Sequence, residues 1–162
     1  MKRIGVLSDT HGYIAPQVFS FFDPCDEIWH AGDLGEGVLE PLRQFRPLRA
    51  VYGNVDSATV RYELDETLLF HCEGLKVLMM HIGGWPDHYP PHLLRLLQHE
   101  RPDIFVCGHS HILKVMYDNQ MQLLHINPGA AGRTGFHRVS TLVRFTIEEV
   151  PKELEILDFN KY

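Results

Sequence analysis

Seven residues have side chains and positions suited to holding cations: Asp9, His11, Asp33, Asn54, His81, His109 and His111. Each lies at or just past the end of a short apolar run, with a glycine close by in the sequence. Carboxylate and amide oxygens are hard donors and imidazole nitrogens borderline ones. That mixture suits manganese, iron, zinc, cobalt or nickel better than an all-oxygen magnesium site. Seven donors from five strand ends suffice for two ions with about four to six ligands each, provided one carboxylate is shared. Asp33, in the middle of the set, is the natural bridge. No thiolate takes part, which argues against a cysteine-type structural zinc.

Such a set converges only if the preceding runs form strands whose ends meet. Ile4–Leu7, Glu27–His30 and Pro47–Tyr52 read as strands, separated by helical spacing around Val18, Phe19 and Phe22 and over Gly37–Phe45. This alternation predicts right-handed βαβ units, a parallel sheet, and strand ends gathered on one edge, where open α/β folds place their sites. Thr67–Cys72 and Lys76–Met80 read as a hairpin, His92–Glu100 as an amphipathic helix, and Asp103–Cys107 as a buried strand. Leu113–Tyr117 pairs with Met121–Ile126, and Thr141–Ile147 with Leu154–Phe159, so the last third is expected to be antiparallel. Asn127 reads as a turn former before Pro128-Gly129.

Composition narrows the function classes. At 162 residues the chain is expected to be one domain spanning 1–162. A formal net charge of −6 argues against general nucleic-acid binding, which shows a basic footprint. It leaves room for a small anionic substrate, because bound cations reverse the local sign. Met1-Lys2-Arg3 with four apolar residues is too short for a signal peptide, and no run reaches membrane-span length. The three scattered cysteines fit reduced thiols, with Cys107 a small buried hydrophobe. The location read from this is cytoplasmic. A homo-oligomer is compatible with the composition, which does not specify one.

The ordered set Asp9-Thr10-His11, Gly32-Asp33, Gly53-Asn54, His81 before Gly83, and Gly108-His109-Ser110-His111 resembles the motifs of the calcineurin-like metallophosphoesterases. It is most similar to the small bacterial and archaeal phosphodiesterases, in which the chain is little more than a catalytic core. The resemblance implies an α/β fold: a two-sheet β-sandwich flanked by helices, the four-layer αββα arrangement. It also implies two divalent ions, manganese foremost, with iron, zinc, nickel, cobalt or magnesium as alternatives. By matching position, Asp9, His11, Asp33 and His111 would hold one ion, and Asp33, Asn54, His81 and His109 the other.

Two such ions roughly 3.5–4 Å apart make a bridging hydroxide available and stabilise an in-line displacement at phosphorus. Two dications, less two aspartates and one hydroxide, leave one formal positive charge, matching a phosphodiester better than a monoester dianion. Many relatives carry a histidine directly after Gly-Asn to protonate the leaving group. Here Val55 takes that place and Asp56 follows, leaving Asp56 and His30 as candidate proton donors beside Asp33, Asn54 and His109 as the expected catalytic set.

Arg133 and His137 lie in a Gly/Arg loop from which either could contact phosphate, whereas His71, His88, His92 and His99 read as solvated. The expected function is therefore a metal-dependent phosphodiesterase acting on a small phosphodiester. The alternative is a non-catalytic scaffold subunit on the same fold, like the retromer component. The metallo-β-lactamase pattern H-x-H-x-D-H is excluded, since Ile112-Leu113-Lys114 follows His111.

Overall fold

The computed structural model describes residues 1–162. Strands β1 (Lys2–Leu7), β2 (Glu27–His30) and β3 (Leu48–Ala50) run parallel. Helices α1 (Pro16–Phe21) and α2 (Leu39–Phe45) are their crossovers. After the short helix α3 (Ala58–Glu63), β4 (Thr67–Cys72) and β5 (Leu75–Met80) form the expected hairpin, followed by α4 (Pro91–Glu100) and β6 (Ile104–Val106). Strands β7 (Leu113–Asp118), β8 (Leu123–Pro128), β9 (Val139–Glu148) and β10 (Val150–Asn160) complete the chain. The two five-stranded sheets have the orders β10-β9-β1-β2-β3 and β4-β5-β6-β8-β7.

Three apolar clusters define four layers. Ile4, Val6, Trp29 and Phe145 from the first sheet meet Val77, Met79, Val106 and Ile126 from the second, sealing the space between them. The first sheet's other face, with Leu7 and Ile28, packs on Val18 and Phe22 at α1 and Leu42 of α2. The second sheet's other face, with Leu78 and Phe105, packs on Leu93 and Leu97 of α4. Alternate residues thus serve opposite faces, and the central strands β1, β2, β5 and β6, covered on both sides, read as nearly continuous apolar runs. The predicted αββα sandwich is the fold observed. No helix is long and apolar enough to cross a membrane.

Two features go beyond the expectations. The C-terminal pairs β7–β8 and β9–β10 are antiparallel as expected, but β8 also runs parallel to β6, because the chain crosses to the sheet edge before returning. The helix α3 carried no recognisable periodicity, since one short turn buries only Val60. Its sole local signal is Ser57, whose Oγ accepts the Val60 N–H.

His125 on β8 is fully buried between Tyr89 and Cys107, and Tyr89 donates its hydroxyl to Asp118. Burial, helped by the nearby Lys114 charge, pushes the His125 pKa down to about 4. The unfolded chain therefore binds the extra proton between about pH 6.5 and 4, and stability from this group falls as pH drops through that window. In denaturant unfolding, the stability lost by the native chain between pH 7 and pH 4 should exceed that lost by His125→Leu by about 3 kcal/mol.

Candidate metal centre

All seven predicted ligands come together where strand ends from both sheets meet. Asp9 and His11 follow β1, Asp33 follows β2, Asn54 follows β3, His81 follows β5, and His109 and His111 follow β6. They form two clusters with ligand atoms within 4.8 Å of one another: Asp9, His11 and His111 in one, Asp33, His81 and His109 in the other. Asn54 joins the second through its Oδ1, 3.1 Å from His109 Nδ1. The Asp33 Oδ2 lies 3.1 Å from His81 Nε2 and 3.9 Å from His11 Nε2, within reach of both clusters.

Each aspartate divides its oxygens between two tasks. Asp9 Oδ2 accepts from the Ser8 hydroxyl and the His109 N–H, while Oδ1 faces the imidazoles of His11, His81 and His111 at 3.6, 3.8 and 3.2 Å. Asp33 Oδ1 accepts the Val55 N–H, leaving Oδ2 toward His81. Gly53 permits this packing, because a Cβ there would collide with the Asp33 carboxylate.

The imidazoles are set just as deliberately. His81 Nδ1 lies 2.8 Å from the Ala31 carbonyl, which can only accept, so Nδ1 carries the proton. The neutral ring then turns the Nε2 lone pair toward carboxylate oxygens, and Nε2 is buried without a hydrogen-bond partner, as is His11 Nε2. Lone pairs facing carboxylates repel unless a cation lies between them, and an imidazole anchored through its other nitrogen is the usual metal-ligand arrangement. The residues present therefore fit divalent ions. With protons as the only cations, burial lowers the His81 pKa, but Asp33 and Asp9 more than reverse it. Burial likewise opposes ionisation of Asp9, yet His11 and His111 hold its carboxyl far below the usual range.

The backbone bears strain at the same place. Asp9, His11, Asp33, His109 and His111 all adopt left-handed φ, between 46° and 72°. Non-glycine residues there cost of order 1–3 kcal/mol each unless the surroundings compensate, and such residues collect at functional sites.

The two expected proton donors are otherwise engaged. Asp56 is not poised to donate a proton: its buried carboxylate accepts the N–H groups of Leu34, Gly35 and Gly53, tying the Asp33 and Asn54 loops together. His30 is fully buried, with Nδ1 accepting from Gly32 N–H and Nε2 donating to Thr10 Oγ1, whose own proton goes to Leu34 O. It braces the first two loops and faces no substrate. Arg133 stacks 3.8 Å from the Tyr13 ring and donates to Lys161 O. His137 packs edge-on against His111. Asn127, the last but one residue of β8, forms the expected turn, its Oδ1 accepting the Gly129 N–H. Its Nδ2 also donates to Gly108 O and Ser110 Oγ, holding the His109–His111 loop. Arg61 of α3, unremarked in the sequence, donates to the carbonyls of Asn54 and Asp56.

Comparison with known proteins bears on this arrangement. Residues 1–150 match the calcineurin-like phosphoesterase superfamily domain. A probable metallophosphoesterase of Methanothermobacter thermautotrophicus is 32% identical over 133 residues, covering 78% of this chain and 76% of that one. An archaeal phosphodiesterase superposes with a TM-score of 0.79 at 21% identity, over 97% of this chain and 99% of its own. Vps29 of Entamoeba histolytica complexed with zinc superposes with a TM-score of 0.72 at 18% identity, over 99% of both chains.

Two substitutions probe the centre. Asp33→Ala should abolish binding of both ions together, read as metal per protein by mass spectrometry after manganese loading; loss of one alone would refute the bridge. Asp56→Ala strands buried N–H donors and should cost about 2–4 kcal/mol in denaturant unfolding.

Proposed function

The chain belongs to the calcineurin-like phosphoesterase superfamily, and from that footing we propose that it is a phosphodiesterase working with two divalent cations, manganese first among them. One observation carries the reading above all: the His81 Nε2 lone pair, fixed by the Ala31 carbonyl, is buried against Asp33 Oδ2 with no hydrogen-bond partner. Ions held by the two clusters would supply Lewis acidity toward phosphoryl oxygens and a hydroxide nucleophile near neutral pH.

The protein's own groups do the rest. Ser8, the His109 backbone and the Val55 backbone keep Asp9 and Asp33 in place, so their charges count fully in the formal balance. That balance, one positive charge after the hydroxide is included, favours a diester monoanion over a monoester dianion. Asn54 and His109 form the exposed side of the centre and would meet the phosphate first. Neither residue expected to protonate the leaving group can do so: Asp56 is engaged by backbone N–H groups and His30 is sealed, while Val55, where many relatives carry a histidine, is 63% exposed but apolar. Esters whose leaving group departs as a stable anion should therefore be the better substrates. The unpaired, buried cysteines support a reducing, cytoplasmic setting.

The likeness to Vps29 supports a second reading, a scaffold subunit that holds metal without turning over substrate. One assay separates the two. The manganese-loaded protein should hydrolyse bis-p-nitrophenyl phosphate faster than p-nitrophenyl phosphate and lose activity when chelated. Without general-acid help, a simple alkyl diester should react slower than the aryl diester by more than roughly the 10²–10⁴-fold such help is worth. Two bound metals without turnover would establish the scaffold instead.

A further inference from the structure

Beside the exposed edge of the centre lies a cleft of about 130 Å³ lined by Trp85, Ser110, Ile112 and Lys114, with buried His125 and Asn127 as its floor. It adjoins the loop that carries two of the candidate ligands, since Ser110, between His109 and His111, lines it. Resting on the phosphodiesterase reading, we propose that this cleft is a specificity subsite for a nucleobase-sized heteroaromatic ring carried by one ester group of the substrate.

Four features select that occupant. The cleft is smaller than the roughly 300–1,000 Å³ of a whole-ligand pocket, so it takes one group rather than an entire substrate. Its walls leave large apolar surfaces open: Trp85 is 45% exposed and Ile112 64%. The indole is not a loose surface side chain. His88 backs it at 5.1 Å between ring centroids, the His88 N–H donates to the Trp85 carbonyl, and the turn needs Gly84, whose positive φ and tight approach to His88 O admit no Cβ. A ring stacked on a preorganised indole loses little freedom on binding.

The polar groups match an acceptor edge. Ser110 Oγ accepts from Ile112 N–H and Asn127 Nδ2, so its own proton remains to donate. The Lys114 ammonium makes no ion pair or hydrogen bond within the chain. Two donors beside an apolar slot fit a ring bearing carbonyl oxygens, as in a pyrimidine. A plain hydrocarbon ring would leave both donors unanswered, and an aliphatic anion would leave Trp85 unused.

The test uses uridine 5′-monophosphate and inorganic phosphate as competitive inhibitors of bis-p-nitrophenyl phosphate hydrolysis by the manganese-loaded protein. The nucleotide should bind about tenfold or more tightly than phosphate, and Trp85→Ala should remove about tenfold of its affinity while leaving phosphate unchanged. In parallel, the nucleotide should quench tryptophan emission in the native protein but not in Trp85→Phe, where only buried Trp29 remains. Equal inhibition by the two anions, equal weakening of both by Trp85→Ala, or quenching without competition would overturn the subsite. Quenching survives as a readout even if the protein turns over no ester, so failure of the subsite and failure of the phosphodiesterase reading are told apart.

Discussion

Two buried carboxylates that share one space with four imidazoles set the terms for the whole molecule. Asp9 and Asp33 cannot be ionised side by side in a water-poor pocket without cations between or around them. Protein donors secure one oxygen of each and leave the other facing inward, so the repulsion is directed at a single small volume. Everything nearby serves to hold that volume open and of fixed shape. The Ala31 carbonyl orients His81, Asp56 links two loops through their N–H groups, and Asn127 pins a third.

The parallel strands explain why the donors meet. β1, β2 and β3 deliver Asp9, Asp33 and Asn54 to one edge of the first sheet, while β5 and β6 deliver His81 and His109 to the matching edge of the second. The apolar layer between the sheets, centred on Trp29, Met79 and Val106, fixes how closely those edges approach. Packing there is therefore part of the ligand geometry, and the left-handed backbone at five ligand residues is tolerated because two rigid sheets over-determine it. Stability is given up locally for shape, as is common where function needs a strained arrangement.

The strand-end donors were legible in the sequence because their signal is local: an apolar run, a glycine, then an oxygen or imidazole. The parallel strands of the first sheet followed from the alternation of runs, and the two-sheet sandwich from the family resemblance alone. What escaped was whatever depends on distant backbone. Asp56 has the residue type and neighbourhood of a proton donor, and only the fold reveals that Leu34, Gly35 and Gly53 consume its oxygens. His30 follows the same logic, its Nε2 partner lying in another loop, and Asn127 makes its expected turn but also reaches Ser110, which no local pattern announces. The parallel pairing of β8 with β6 escaped because a strand's periodicity is the same whichever neighbour it runs alongside.

The contact between His111 and Asp9 spans 102 residues of chain. During synthesis the first carboxylate leaves the ribosome long before its last imidazole, and neither cluster can close until the second sheet has docked on the first. Metal capture by these residues would thus come late in folding, and a truncated or mispaired chain would gain none of its stabilisation. Ions held by the two clusters would therefore be retained only by chains whose two halves have found each other.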